Sequence, residues 1–159
     1  MENTNTYYSP DGNPEIWEIK PDGYFTPQEW ATAHPAPEPE PPTLEEARAA
    51  KLAEINAAFE RAGETGHVMS SLGFEIDANE RANRDTEGLI TVLTATGAAG
   101  TMFCDYHNVM REVTLEQLKT LRLEIIAHGQ ALYAKKWLLR EAANAAQTVA
   151  EVQAVAWGD

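Results

Sequence analysis

A proline run over residues 34–42, HPAPEPEPP, constrains the fold more strongly than any other feature of the sequence. Five of its nine residues are proline. Proline fixes its own φ angle and carries no N–H donor, so the run favours an extended, polyproline-like conformation that joins neither a helix interior nor a central strand. We therefore predict a stiff linker at 34–42, an N-terminal arm at 1–33 and a larger domain at 43–159.

The arm at 1–33 is predicted to be β-rich. Turn signals such as Pro-Asp-Gly separate short pieces that are rich in tyrosine, tryptophan, phenylalanine and isoleucine, as is typical of strands. A segment this short buries little apolar surface alone, although it contains two of the four tryptophans of the chain. Its rings are therefore expected to pack on the rest of the chain, on another subunit or on a different protein. In the last case the partner-binding residues are Tyr7, Tyr8, Trp17, Tyr24, Phe25 and Trp30.

Capping boxes predict where the helices of the domain at 43–159 begin. Thr43 and Glu46 are three residues apart, so the side chain of each can satisfy a free N–H at a helix start. Glycines at 63, 66 and 97 are suitable helix stops, and a long helix is expected to reach about Ala146. A final short helix is expected to end on Trp157. The same capping spacing recurs at Thr114 with Gln117 and at Thr148 with Glu151.

Two stretches between the predicted helices favour β-hairpins. Residues 67–78, HVMSSLGFEIDA, have short apolar runs on both sides of a Leu-Gly pair, where glycine can supply a positive φ angle. Residues 101–114, TMFCDYHNVMREVT, read as two strands that meet near His107 and Asn108. The predicted fold class is therefore α+β, with a small N-terminal β-rich arm, a Pro-rich linker and a mainly helical C-terminal domain that contains two short hairpins.

The polar cluster NRD at residues 83–85 has two interpretations, a chemical site or the first turns of a helix. Asp77 lies three residues before Glu80, which matches the capping pattern. Arg81 and Asp85 are four residues apart, the spacing of an ion pair on a helix surface. The sequence therefore favours a capped amphipathic helix whose inward stripe is Ala82, Thr86, Leu89 and Leu93.

Composition excludes several classes of function. Twenty-five acidic and 12 basic residues give a formal charge of −13, which repels phosphate backbones and anionic lipid headgroups. We predict that the protein binds neither nucleic acid nor a membrane. The apolar runs are too short to span a bilayer, and the first residues lack the pattern of an export signal. The single cysteine, Cys104, cannot form an internal disulfide, and we expect the chain to remain in a cytoplasm.

Few residues have the spacing that catalysis or metal binding requires. The four histidines include no pair at the spacing of a helical metal site. A thiol nucleophile formed by Cys104 and His107 is disfavoured because residues an odd number apart in a strand point to opposite faces, so Cys104 is predicted to be a small buried residue. Carboxylates for sugar hydrolysis remain an alternative, with Glu75, Asp77 and Asp105 as candidates. We predict no metal, no cofactor and no enzymatic activity.

The span from about Glu45 to Trp157 resembles an uncharacterised domain family common in tail-fibre and tail-fibre assembly proteins of tailed bacteriophages. The matching segments are ARAAKLAEINAAFERA, the hairpin into GFEIDANERANRD, the strands before VTLEQLKTL, and ANAAQTVAEVQAVAW. An F-x-x-D-x-x-x-R element falls on Phe74, Asp77 and Arg81. The first 42 residues are similar to the start of small tail-fibre assembly proteins, which begin with a YYSP-type strand and continue through a tryptophan and a proline-rich tether.

This resemblance implies a role in building a phage or phage-derived tail fibre, and it carries no catalytic residues. The expected function is a non-catalytic tail-fibre assembly chaperone that acts in the host bacterial cytoplasm and binds a phage tail-fibre protein. The alternative is a structural component of the assembled tail fibre or baseplate, retained in the virion tail. Homo-oligomerisation through the long helix stays open, as does the identity of the fibre.

Overall fold

The computed structural model of the protein describes residues 5–35 and 40–158. Two compact units are present, Met1–Pro41 and Pro42–Asp159. The predicted α+β class is confirmed, because strands occur at the N-terminus and a mainly helical part with small antiparallel sheets follows. Residues 36–39 of the predicted linker lie outside the described residues. No helix in the described part of the chain has both the length and the apolar composition that crossing a membrane requires.

The N-terminal unit is built on one small sheet. Strands β1 (Asn5–Tyr8) and β2 (Pro14–Trp17) pair antiparallel, with Tyr7 opposite Glu15. The turn between them requires a positive φ angle at Gly12, where φ is 86°. Backbone bonds between Tyr8 and Phe25, at 2.7 and 2.8 Å, then bring the chain back beside β1.

Helix α1 (Pro27–Ala33) follows the sheet, and the sequence analysis did not predict it. Its signal is nevertheless local, since Thr26 and Glu29 form a capping box and Pro27 occupies the first turn. Hydrogen bonds from Lys20 and from the backbone N–H of Thr26 lower the pKa of Glu29 to about 2. His34, predicted to begin the linker, instead ends this helix by donating its backbone N–H to the carbonyl of Trp30.

The second unit follows the predicted order of elements. Helices alternate with two antiparallel hairpins, in which β3 pairs with β4 and β5 pairs with β6. Gly73 has φ 88° in the first hairpin, and Asn108 has φ 60° in the second. The elements are α2 (Leu44–Thr65), β3 (His67–Met69), β4 (Glu75–Asp77), α3 (Glu80–Thr96), β5 (Gly100–Cys104), β6 (Met110–Thr114), α4 (Leu115–Ala145) and α5 (Val149–Ala154).

Capping boxes at Thr43, Thr114 and Thr148 are present as predicted. The predicted cap at Asp77 is wrong. Asp77 pairs with His67 at the end of β4 and keeps an extended backbone, so α3 begins two residues later, where the Asn79 side chain accepts the N–H of Ala82 at 2.9 Å.

The final helix also ends earlier than predicted. Helix α5 stops at Ala154, so Trp157 lies beyond it, and the indole packs edge-on against Phe59 of α2 at 6.5 Å. The terminal tryptophan therefore tethers the end of the chain to α2.

Helix α4 organises the core of the second unit, because α2, α3 and the hairpins all pack against it. Its inner face buries Leu118, Leu121 and Ile125 completely or nearly so. Leu121 and Ile125 pack with Ile76 of β4, while Leu118 packs with residues of α3 and β6. Phe74 and Phe103 contribute to both clusters and join them into one apolar interior.

The C-terminus of α2 makes a close contact with α4 at Gly66. A Cβ atom there would lie 2.7 Å from Nε2 of His128 and 2.8 Å from the carbonyl oxygen of Ala62. Burial lowers the pKa of His128, and the neighbouring His67 lowers it further, so the ring is neutral at pH 7. His128 therefore takes part in a close contact between α2 and α4.

Removing a side chain from the inner face of α4 should destabilise the second unit. Leu121→Ala is expected to lower the free energy of unfolding by about 2–5 kcal/mol, because it leaves a cavity among fully buried neighbours. Urea unfolding followed by circular dichroism measures the change. Leu138→Ala, at a position on the same helix that is mostly exposed, is the matched control and should change stability little. Equal losses in the two variants would contradict this assignment of the buried face.

Gly66 and Gly63 form a second matched pair. Gly66→Ala should lower the melting temperature, because the added methyl group meets both His128 and the α2 backbone. Gly63→Ala places its methyl group in open space within the helix and should stabilise by about 0.5–1 kcal/mol through helix propensity. Thermal unfolding of the two variants measures both changes in melting temperature. A Gly66→Ala protein that is more stable than the wild type would show that the contact between Gly66 and His128 is loose.

Candidate functional site

Three of the six predicted partner-binding aromatics pack on one another. The rings of Tyr8 and Trp30 stack with centroids 5.6 Å apart, and Phe25 meets Trp30 edge-on at 5.5 Å. The His34 ring also stacks on the Trp30 indole, with centroids 3.8 Å apart. The rings of Tyr8, Phe25 and Trp30 are partly buried and form the small core of the N-terminal unit itself.

The other three aromatics surround Glu15 of β2. One carboxylate oxygen of Glu15 accepts the indole N–H of Trp17 at 3.2 Å and the hydroxyl of Tyr24 at 3.1 Å. Burial and the bond to Glu15 raise the pKa of Tyr24, so the hydroxyl remains a donor at neutral pH. Tyr7 lies directly across the sheet from Glu15. The Trp17 ring also packs edge-on against Tyr24 at 6.3 Å, which holds it in place.

The most accessible apolar surface of the N-terminal unit lies along and just after β2. The exposed fractions are 71% for Ile16, 44% for Trp17 and 81% for Ile19. Strand β2 pairs only with β1 among the described residues, so its other edge is open. An unpaired edge offers backbone donors and acceptors to an incoming strand, and neighbouring apolar side chains can cover it.

Sequence reasoning did not include Ile16 and Ile19 among the site residues, although both lie in the predicted strand region. The signal was the alternation of side chains in a strand, which places Ile16 and Trp17 on opposite faces. Trp30, one of the predicted partner-binding residues, is partly buried and packs on Tyr8, Phe25 and His34. A pattern of aromatics alone does not separate rings that make a core from rings that face outward.

A groove of about 770 Å³ lies in the second unit. Its floor is apolar and comes from Phe59 of α2 and from Ile125 and Leu132 of α4. The N-terminus of α3 forms one side, with an exposed ion pair between Arg81 and Asp85 at 3.5 Å. The groove can accept apolar side chains, and the predicted surface ion pair is confirmed.

The three candidate carboxylates lie in different surroundings. The Asp105 side chain is fully buried and accepts bonds from the N–H groups of His107 and Val109 and from the guanidinium of Arg111, all at 2.8–2.9 Å. Glu75 pairs with Nε2 of His107 at 2.9 Å. Asp77 is exposed at the end of β4. Asp105 therefore closes the β5–β6 turn, and its oxygens already have partners within the chain.

The structure also corrects the prediction for Cys104, which is exposed rather than buried. It is the last residue of β5, and the strand side on which it lies faces outward. Within residues 5–35 and 40–158, no three histidine, cysteine, aspartate or glutamate side chains lie together as a metal site would require.

The buried carboxylate of Asp105 should make stability depend on pH. Burial alone would raise its pKa, but the N–H of Val109 and the Arg111 guanidinium outweigh burial and hold the pKa below its usual 3.8. Its contribution is therefore present above pH 3.8 and is lost as the pH falls through the lower folded-state value. Asp105→Asn should have a lower melting temperature at pH 7 and a weaker decline in acid. Parallel acid profiles for the two proteins would contradict this role.

Comparison with known proteins adds one finding. No curated protein and no solved structure matches the chain. A family model described as "Domain of unknown function (DUF4376)" matches residues 46–156, which span α2 almost from its start through α5 and include the groove and the Asp105 turn. That model covers more than half of the sequence, and the chain therefore belongs to the DUF4376 family.

Proposed function

We propose that the protein is a non-catalytic assembly factor that binds a tail-fibre subunit of a phage or phage-derived tail and aids its folding and trimerisation. The observation that carries the proposal is the open edge of β2 beside exposed Ile16, Trp17 and Ile19. The resemblance of the first 42 residues to small tail-fibre assembly proteins supplies the partner. In this proposal the protein acts in the host bacterial cytoplasm during assembly.

An unassembled fibre subunit exposes strand edges of the kind that the open edge of β2 can pair with. A β-rich chain that becomes buried only when three copies meet exposes strand edges until then, and exposed edges aggregate. An incoming edge that pairs with β2 gains backbone hydrogen bonds, while Trp17 and the two isoleucines cover its apolar side chains. The strand has four residues, so the contact is short and can be released when the fibre trimer forms.

The charge of the protein supports the same role. A formal charge of −13 keeps complexes apart by mutual repulsion, which favours solubility of a bound aggregation-prone subunit. The aromatic cluster of Tyr8, Phe25 and Trp30 gives the N-terminal unit its own small core, so that β2 can present its edge from an ordered sheet. In this proposal the binding residues are Ile16, Trp17 and Ile19, supported by Tyr7, Tyr24 and Glu15.

Co-expression with a tail-fibre subunit from the same phage or prophage tests the proposal. The protein should raise the soluble and trimeric fraction of the fibre, measured by centrifugation and native mass. The double variant Ile16→Thr with Trp17→Thr should abolish most of this gain, because threonine retains strand propensity but removes the apolar surface. The matched control replaces exposed residues of the second unit, Val92→Thr with Met102→Thr, and should leave the gain intact.

Two outcomes would count against the assembly role. An unchanged soluble fraction in the presence of the wild-type protein would refute it, and so would equal losses in the β2 double variant and the control. Mass spectrometry of purified particles distinguishes an assembly factor from the alternative, a structural component of the fibre or baseplate. A structural component should be present in the particles in a fixed ratio to the other tail proteins, and an assembly factor should be absent. Activity on cell-wall or capsule sugars that vanished in Glu75→Gln would instead establish the enzyme alternative.

A further inference from the structure

Helix α4 carries a second apolar stripe that does not belong to the core. Leu123, Ile126, Tyr133 and Trp137 are between 36% and 67% exposed. They recur at intervals of three or four residues, with Gln130 at the remaining position of the series, so they run along one side of the helix. The buried face of the same helix is a different set, Leu118, Leu121, Ile125 and Ala143.

The spacing of the stripe is that of a helix–helix seam. Positions 123, 126, 130, 133 and 137 alternate intervals of three and four, the repeat with which two helices interlock along a line. Small residues, Ala127 and Ala134, flank the stripe and allow a second helix to approach closely. A single polar residue inside such a seam, here Gln130, fixes the register when it meets a hydrogen-bonding partner.

We infer that a second copy of this chain covers the stripe, with the two α4 helices antiparallel about a two-fold axis near Gln130. In this arrangement the Gln130 amides of the two copies face each other, and an amide can both donate to and accept from its own equivalent. Leu123 of one copy then lies toward Trp137 of the other, and Ile126 lies toward Tyr133. The inference concerns self-association and does not rest on the proposed binding of a fibre.

Charges at the two ends of the stripe favour the antiparallel direction. Lys119 lies one turn before Leu123, and Glu141 lies one turn after Trp137, on the same side of the helix. Antiparallel helices place Lys119 of each copy near Glu141 of the other, whereas parallel helices would oppose like charges at both ends. Lys119 also pairs with Glu116 in its own helix, an exposed contact that an intersubunit pair can share.

The charge on α4 removes the main obstacle to pairing two acidic chains. Each copy carries −13, but α4 itself has more basic than acidic residues. The basic residues are Lys119, Arg122, Lys135, Lys136 and Arg140, and the acidic ones are Glu116, Glu124 and Glu141. Repulsion between the acidic remainders is screened beyond about 8 Å at physiological ionic strength. The stripe is therefore an apolar surface on an element without excess negative charge.

The area of the stripe is sufficient for a dimer of moderate affinity. With about 150–250 Å² for a fully buried aromatic side chain, the exposed parts of the stripe offer roughly 500 Å² per copy. A pair buries about 1,000 Å², the lower bound for a specific interface. The dissociation constant is therefore expected in the micromolar range.

Sedimentation equilibrium of the full chain tests this inference. At about 100 µM, above the expected micromolar dissociation constant, the wild-type protein should have the mass of two 17.5 kDa chains. Leu123→Glu with Trp137→Glu should be monomeric, with the same far-ultraviolet circular dichroism as the wild type because both side chains are exposed. Val92→Glu replaces an exposed apolar residue of α3 and should remain dimeric.

A charge swap tests the direction of the helices. Lys119→Glu alone should raise the dissociation constant at least tenfold, and adding Glu141→Lys should restore it, since the swap recreates both intersubunit pairs only when the helices are antiparallel. In a parallel dimer residue 119 faces residue 119 and residue 141 faces residue 141, so like charges stay opposed in the wild type and in both variants. A dissociation constant that changed little in either variant would therefore overturn the proposed geometry.

A monomeric wild-type protein at 100 µM would overturn the proposal altogether, as would a dimer that tolerates both glutamates on the stripe. If the wild-type protein is monomeric and the stripe variant no longer keeps the fibre subunit soluble, the fibre subunit, not a second copy, occupies this face. Because sedimentation uses no fibre, its failure is distinct from failure of the assembly role.

Discussion

Burial of the inner face of α4 is the interaction on which the second unit depends. Leu118, Leu121 and Ile125 are all but excluded from solvent, and each contacts elements that are distant in sequence. Neither hairpin could persist alone, because an isolated two-stranded hairpin is marginal in water. The hairpins exist because Ile76 and Val113 anchor them to α4, with Phe74 and Phe103 filling the space between the clusters.

The N-terminal unit is stabilised by different interactions. It has no buried aliphatic core among its described residues. It depends instead on stacked rings, a capped helix of about two turns and the Tyr8–Phe25 backbone bonds. Stacking on Trp30 orders one face of the unit, and the hydrogen bonds to Glu15 orient Trp17 on another. An ordered sheet with an open edge loses less conformational entropy on binding than a disordered strand would.

Local signals account for what could be predicted from the sequence. The boxes at Thr43, Thr114 and Thr148 depend on residues three apart, so they identified helix starts without tertiary information. The cap at Asp77 failed because the same spacing competes with pairing to β3, which is a contact between separate segments. The exposure of Cys104 and the partial burial of Trp30 likewise depend on which neighbours the fold supplies. Helix α1 was missed although its capping box was readable, because its aromatics suggested strands.

The sequence places the candidate site in the N-terminal arm, but it does not tell which side chains of the arm are exposed. Six aromatics of the arm are predicted to bind a partner, and three of them, Tyr8, Phe25 and Trp30, pack on one another within the N-terminal unit. The two isoleucines that flank Trp17 are more exposed than any of the six. Exposure is a property of the whole surface, and a sequence pattern of period two gives the face of a strand without telling which face is covered.

If α4 pairs two copies, the α4 stripe and the β2 edge serve the same proposed role. A four-residue edge forms few hydrogen bonds, so in the proposed role one β2 strand would hold a partner weakly and release it readily. Two edges in one assembly raise the effective concentration of the second once the first is bound, and the combined affinity can exceed that of either edge by about 10²–10⁴. Each single contact nevertheless remains short-lived. Such an assembly would bind an unassembled β-rich subunit strongly while the subunit exposes two or more strand edges. It would release the subunit when trimerisation buries those edges, because the gain in affinity from the second contact disappears with the second edge.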